Sequence, residues 1–226
     1  MHWLATNERR PPKQRPLLIR SPSPFSLADW RRRTTALYAD VRAAPHEEPA
    51  QIAHRFRAAR DELFNSHPDT PLSPQQQVGF EGLLYYPYDP AWRTLGEIEL
   101  LRRGETFEAD LGGEGLLPFA DTARVHFEIH GEAASLTVYS LLGYGGGLWL
   151  PFTDATNGRA TYAGGRYLLD TIKGADLGTC DGKLVLDFNY AYNPSCAYSS
   201  RWLCPLAPRA NALAVEVTAG ERKPSA

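Results

Sequence analysis

Hydrophobic positions recur with two different periods along this chain, and the change from one to the other falls near residue 80. Upstream, Leu27, Trp30, Thr34, Leu37, Tyr38 and Val41 return at three- and four-residue intervals, the spacing of one helix face. Ser26 stands just before them with Asp29 three residues on, which predicts an N-cap and its capping-box partner. Pro45 and Pro49 end that pattern. A second helix is predicted from Pro49 to about residue 64, with Ile52, Phe56, Ala59 and Leu63 on one stripe and proline in its first turn. From Ser66-His67-Pro68 to Pro74 the residues are those of turns.

From Phe80 onward apolar and polar residues alternate. Strands are predicted over 81–86, 94–102, 106–111, 124–130, 135–142, 148–152, 159–162, 166–169, 183–188 and 212–218. Arg103-Gly104-Glu105, His130-Gly131-Glu132, Asn157-Gly158 and Asp181-Gly182 read as turns, the last two of the kind that closes tight hairpins. The expected fold is mainly β: an antiparallel sandwich or barrel of about ten short strands, preceded by two α-helices. Three regions follow: a basic, Pro-rich disordered tail (1–24), N-terminal helices (25–66) and a β domain (80–221).

Composition changes this picture little. The 226 residues, 43% of them hydrophobic, suffice for one core without disulfide or metal. Net charge is −2, but Arg9, Arg10, Lys13, Arg15 and Arg20 against Glu8 alone give the tail +4 and leave −6 elsewhere. No basic stripe interleaved with aromatics follows, so no nucleic-acid partner is expected. Neither a membrane-length apolar run nor a signal-peptide core is present, and a cytoplasmic protein without membrane contact is the expectation.

Candidate chemistry concentrates between Gly143 and Pro205. Gly143-Tyr144-Gly145-Gly146-Gly147 precedes a strand pattern rather than a helix, so it is a flexible hairpin and not a phosphate cradle. His126, Glu128 and His130 would share one face of a strand, but Val125, Phe127 and Ile129 take the core side, and no metal is expected. Cys196 and Cys204 are too widely spaced for a zinc ribbon. Buried thiols, a disulfide and a nucleophilic Cys196 remain open, the last without a neighbouring histidine.

The densest polar cluster lies beside these. On the strand starting at Lys183, Leu184, Leu186 and Phe188 face one way and Val185, Asp187 and Asn189 the other. Arg166, Leu168 and Asp170 would likewise share a face, making Arg166 and Asp187 predicted partners. Asp154, Tyr162, Asn189, Tyr192, Asn193, Cys196 and Tyr198 complete the candidate set. Such a set either binds a carboxylate or polyol through the Arg166 fork, or is a buried ion pair that fixes a long loop.

Several blocks resemble the bacterial domain-of-unknown-function family 1684. They are Tyr86-Pro87-Tyr88-Asp89-Pro90-Ala91-Trp92-Arg93, Phe152-Thr153-Asp154-Ala155-Thr156, the run from Thr161 to Leu168, the run from Asp187 to Tyr198, Cys204-Pro205-Leu206-Ala207-Pro208 and Ala219-Gly220-Glu221. The similarity runs roughly from His54 to Glu221. It implies no reaction, since the family has none assigned. It does imply relatives that resemble secreted or lipid-anchored proteins, some with an extra β-rich segment.

Two functions fit these observations. One is a structural or ligand-binding β-domain whose polar cleft takes a small polar or anionic ligand without a cofactor. The other is a hydrolase- or isomerase-like enzyme using Asp154, Asp170 or Asp187 as acid or base, with Tyr162 or Arg166 steadying charge.

Overall fold

Proline stands at the start of each described α-helix. The structure, a computed structural model, describes residues 22–44, 48–102 and 104–224. The tail up to residue 21, Pro45 and Arg103 lie outside them. Helix α1 (Pro24–Ala43) starts three residues before the expected position. Ser23 is its N-cap, and Ser26 is the reciprocal partner: Ser23 Oγ accepts from the Ser26 N–H (3.1 Å) and Ser26 Oγ from the Ser23 N–H (2.7 Å). Pro24, with its φ already set for a helix, fills the first helical position. Helix α2 (Pro49–Ser66) opens on proline as expected, but its inward stripe is Ala53, Phe56, Arg60 and Leu63. The stripe is turned by about one residue from the predicted one, so that Ala59 is exposed and Arg60 is inside. Pro74–Gln77 adds one short turn, α3.

Eight strands form a single antiparallel sheet that curls into a half-barrel. They are β1 (Arg93–Leu100), β2 (Thr106–Asp110), β3 (Leu116–Ile129), β4 (Glu132–Leu141), β5 (Gly147–Phe152), β6 (Arg166–Asp170), β7 (Thr179–Cys180) and β8 (Lys183–Asp187). Their order is β6-β5-β4-β3-β1-β8-β7, and β2 also pairs with β3. Both β1 and β2 run antiparallel to β3, against residues 123–126 and 116–120 respectively, so they lie end to end along one edge. Gly104 and Glu105 therefore lie in the link between these two strands and not at a reversal, while Arg103 of the predicted turn is outside the described residues. A Cβ on Gly104 would come within 1.7 Å of the Asp121 carbonyl oxygen, which leaves glycine as the residue that fits. The true reversals include His130-Gly131 and Asp181-Gly182, where both residues of each pair have positive φ, as a two-residue type I′ hairpin requires.

Each face of the sheet carries a buried cluster. One face packs Tyr139, Trp149, Tyr167 and Tyr190 beneath Tyr38 and Phe56 of the helices. The other packs Val125, Leu136, Val138, Leu150, Phe152, Leu186 and Phe188 beneath Leu213, Val217 and Ala219 of a C-terminal arm. A bulge between Asp121 and Ala123 lets β3 serve both, so Phe119 faces the helices and Val125 and Phe127 face the arm.

Three predicted strands are not strands. The arm (212–218) alternates because one side of it is buried, but it makes only scattered bonds, such as Leu213 N–H to the Thr153 carbonyl (2.8 Å) and Ala155 N–H to the Val215 carbonyl (3.1 Å). Residues 81–86 contribute one bridge, Tyr85 to Glu221. Residues 159–162 fold back on Thr156, whose carbonyl accepts the N–H groups of Arg159, Ala160 and Thr161. There Asn157-Gly158 closes a polar loop, with Asn157 bonding Asp154 N–H (2.7 Å) and the Tyr162 carbonyl (2.6 Å). The result is one curled sheet with an arm across it in place of a sandwich or barrel.

Candidate functional site

The predicted partnership of Arg166 with Asp187 does not form. Strands β6 and β8 are separated by β5, β4, β3 and β1, so the two residues stand on distant parts of the sheet. Nor do Arg166 and Asp170 share a face. A bulge at Leu168 makes Arg166 pair with Phe152 and Asp170 with Trp149, one facing the arm and the other the helices.

Arg166 is instead wholly buried with Asp154, its Nη2 lying 2.8 Å from Asp154 Oδ2. Nη2 also donates to the Val217 carbonyl (3.0 Å), and Nη1 donates to the carbonyls of Ala219 and Glu221. Asp154 Oδ1 accepts from the Thr156 N–H (2.8 Å) and hydroxyl (2.6 Å) and from the Val217 N–H (3.2 Å). Burial lowers the Arg166 pKa, and Asp154 opposes that shift. A guanidinium stays charged in either case. The pair thus fastens the arm to the sheet with every strong acceptor already in use.

A second sealed pair lies beside it. Glu221, 1% exposed, receives Arg60 Nε (2.8 Å) on one oxygen and both the Tyr198 hydroxyl (2.7 Å) and the Asn193 N–H (2.8 Å) on the other. Asn193 Nδ2 reaches the Arg222 carbonyl (2.8 Å). Burial works against the charge on Arg60, but Glu221 together with Tyr85, Tyr198 and Tyr38 outweighs it and holds the Arg60 pKa well above its ordinary value. Gly220 permits the turn between the two pairs: its φ is +72°, and a Cβ there would meet the Ala191 and Phe188 carbonyls at 2.6 Å. Tyr192 sits under Arg60 and places its hydroxyl 3.5 Å from Asp170, which also faces Lys173 (3.7 Å).

Asp187 belongs to different surroundings. It ends β8 and caps the following turn, its Oδ1 accepting from the Asn189 N–H (3.0 Å) and side-chain amide (2.9 Å). Asn189 in turn exchanges two hydrogen bonds with the backbone of Asp89 (3.0 and 2.8 Å). Arg93 is the cross-strand neighbour of Asp187, with Nε 4.0 Å from Oδ2, beyond hydrogen-bond length. These two open onto a cleft of about 610 Å³ between the helices and β8, walled by Val41, Ile52, Leu177 and Val185 and by the rings of Tyr88 and Tyr190. Among the described residues the Arg93 guanidinium and the Tyr88 and Tyr190 hydroxyls have no hydrogen-bond partner. Burial raises the pKa of Asp187, with Asn189 and Arg93 opposing, and burial raises those of Tyr88 and Tyr190.

Of the ten predicted site residues, Asp187 is the one that lines this cleft. Asp154, Arg166, Asn193 and Tyr198 are in the sealed pairs, while Tyr162 and Cys196 touch each other (3.5 Å) beside a separate cavity. His126 pairs with Glu99 (2.8 Å) and His130 lies in the hairpin turn against Trp92, while Val125, Phe127 and Ile129 take the buried side as expected. No three metal-ligating side chains gather among the described residues, and no described helix is long and apolar enough to cross a membrane.

The family described as protein of unknown function (DUF1684) matches residues 78–222, well over half of the sequence. The chain belongs to the DUF1684 family. A solution NMR structure of an uncharacterised protein from Haloarcula marismortui is also similar, with 32% identity, coverage of 76% of this chain and 92% of that one, and a TM-score of 0.56. None of the curated proteins matches the chain. In this DUF1684 protein the cleft joins two sources: Tyr88, Arg93, Asp187 and Tyr190 fall inside the matched span, whereas Val41 and Ile52 precede it.

Sequence reasoning missed Arg60, Glu221 and Asn211 as structural residues and Tyr88, Arg93 and Tyr190 as cleft residues. Tyr88, Arg93, Tyr190 and Glu221 stand in blocks that carried the family resemblance, so their positions were marked without their roles. Arg60 had a signal of its own, since it lies four residues after Phe56 on the buried face.

Proposed function

We propose that the protein binds a small anionic, carboxylate-bearing ligand in the cleft between the helix pair and β8. The observation that carries this reading is the Arg93 guanidinium, which faces the cleft without a hydrogen-bond acceptor from the described residues. A planar fork of that kind suits a carboxylate, which it can hold by two parallel bonds. The Tyr88 and Tyr190 hydroxyls add donors, and Val41, Ile52, Leu177 and Val185 supply apolar surface for the rest of the ligand. A cleft of several hundred Å³, mostly apolar with a few convergent polar groups, is the usual form of a small-molecule site. Asp154 and Arg166 belong to the structural half of the original expectation. If the site also catalyses, Asp187 is the acid or base, because Asp154 lies beneath the arm and Asp170 outside the cleft.

The test is thermal unfolding with benzoate, phenylpropionate and succinate as probes, on the wild type and Arg93→Met. A rise that grows with the logarithm of ligand concentration is expected for the wild type, about 2.7 kcal/mol at a hundredfold excess over Kd, and Arg93→Met loses it. Equal shifts in the two proteins, or none with any probe, would reject the carboxylate reading.

A further inference from the structure

A second cavity, separate from the ligand cleft, has two thiols in its wall. It has a volume of about 560 Å³ and is open to solvent, with Cys196, Cys204, Tyr162, Trp202 and Phe107 in its wall. Cys196 lies in the turn Ser195–Ala197, and its thiol and that of Cys204 line the same cavity and act on each other. Both thiols are free and half-buried, and Tyr162 Oη flanks Cys196 Sγ at 3.5 Å. The connecting loop is held at several points. Ser199 N–H bonds the Ser195 carbonyl (3.3 Å), Trp202 N–H the Ser199 carbonyl (3.2 Å), and the Tyr167 hydroxyl the Pro205 carbonyl. The fold thus keeps both thiols in the wall of one cavity, where a disulfide would have an S–S length of about 2.05 Å.

We propose that Cys196 and Cys204 form a redox-active dithiol that exchanges with small-molecule disulfides entering through this cavity. The Cys204 thiolate attacks one sulfur of the disulfide RSSR, whose S–S bond breaks. A mixed disulfide forms on Cys204, and RS⁻ leaves to take a proton from water. Cys196 then gives its proton to solvent, and its thiolate attacks Cys204 Sγ and expels the second RS⁻. The protein loses two electrons and two protons, and RSSR becomes two RSH. The assignment of attacker and resolver has a physical basis. The hydrogen bond from Cys196 holds Cys204 below the ordinary thiol value, at about 6, and the same interaction together with burial pushes Cys196 up. Oxidation closes the 196–204 loop covalently and removes the thiol that Tyr162 contacts.

Cys180 is the internal control, because it is exposed on β7 and lines the other cleft. The full chain is incubated with oxidised glutathione at neutral pH, quenched with acid, alkylated and mapped by mass spectrometry. The expected product has lost two hydrogens, carries a Cys196–Cys204 cross-link and is restored by dithiothreitol. Cys196→Ser should instead accumulate a glutathione adduct on Cys204. Cys204→Ser should slow modification at Cys196 by about tenfold or more, since attack depends on the thiolate fraction. A lasting adduct on wild-type Cys204, a cross-link through Cys180, or no change at Cys196 and Cys204 would each overturn the proposal. None of these outcomes bears on the carboxylate cleft.

Discussion

Residues of one type serve opposite ends in this protein, and their neighbours decide which. Arg166 and Arg60 are each closed in against a carboxylate and the arm, whereas Arg93 meets Asp187 only at 4.0 Å beside open space. Asp187 keeps one oxygen for Asn189 and turns the other toward the cleft. Burial raises its pKa from the ordinary 3.8, so the folded state holds this proton more tightly than the unfolded state does. As pH rises from 3.8 through the raised value, the unfolded chain ionises first, and the wild type loses stability that Asp187→Asn does not. The asparagine retains an oxygen for both Asn189 bonds. Urea midpoints across this window should therefore show the variant gaining on the wild type as pH rises, then holding level. A gap that shrinks with rising pH would mean that the Arg93 charge dominates over burial. At this scale the sequence marked Asp187, Arg166 and Asp154 as worth inspection but could not pair them. Pairing depends on strand order and on the bulge at Leu168, and neither leaves a mark in an alternating pattern.

Elements were legible wherever alternation coincided with a hydrogen-bonded ladder. Strands β1, β2, β4, β5, β6 and β8 lie close to their predicted ranges, and β3 extends well upstream of its own. Its first half was hidden because the bulge at residue 122 reverses which side is apolar. The arm shows the converse case, alternation without a ladder, and side chains supply the missing bonds. Asn211 acts as a strand surrogate: its Oδ1 accepts from the Thr137 N–H (2.8 Å), and its Nδ2 donates to the carbonyls of Thr137 (2.8 Å) and Pro151 (2.7 Å). Asn211→Ala would leave these buried groups unpaired, each at about 1–3 kcal/mol. A loss of about 3 kcal/mol or more in denaturant unfolding is expected. A loss below about 1 kcal/mol would show that the arm is held by apolar burial alone.

At the scale of the whole molecule, a sheet with two apolar faces needs two covers. Helices α1 and α2 cover one face, and the arm covers the other. Part of the polar cost of laying an irregular segment over a sheet is met by the Arg166–Asp154 pair, which bonds the Val217 N–H and carbonyl and the carbonyls of Ala219 and Glu221, and the Arg60–Glu221 pair holds the chain just beyond it. The helix cover is less complete and leaves the cleft at Arg93, Tyr88, Tyr190 and Asp187. Binary patterning predicted the helices and the sheet strands but not this division, because the choice of cover is made by contacts far apart in the chain. The central claim is that the Arg166 site is a sealed fastening and the Arg93 site an open one. Denaturant midpoints of Arg166→Met and Arg93→Met, measured side by side, test it most directly. Removing Arg166 leaves Asp154 buried without its partner and should cost about 3–5 kcal/mol, whereas removing the partly exposed Arg93 should cost less than about 1 kcal/mol. An Arg166→Met protein that unfolds at the wild-type midpoint, or an Arg93→Met protein that loses as much as Arg166→Met, would contradict the account.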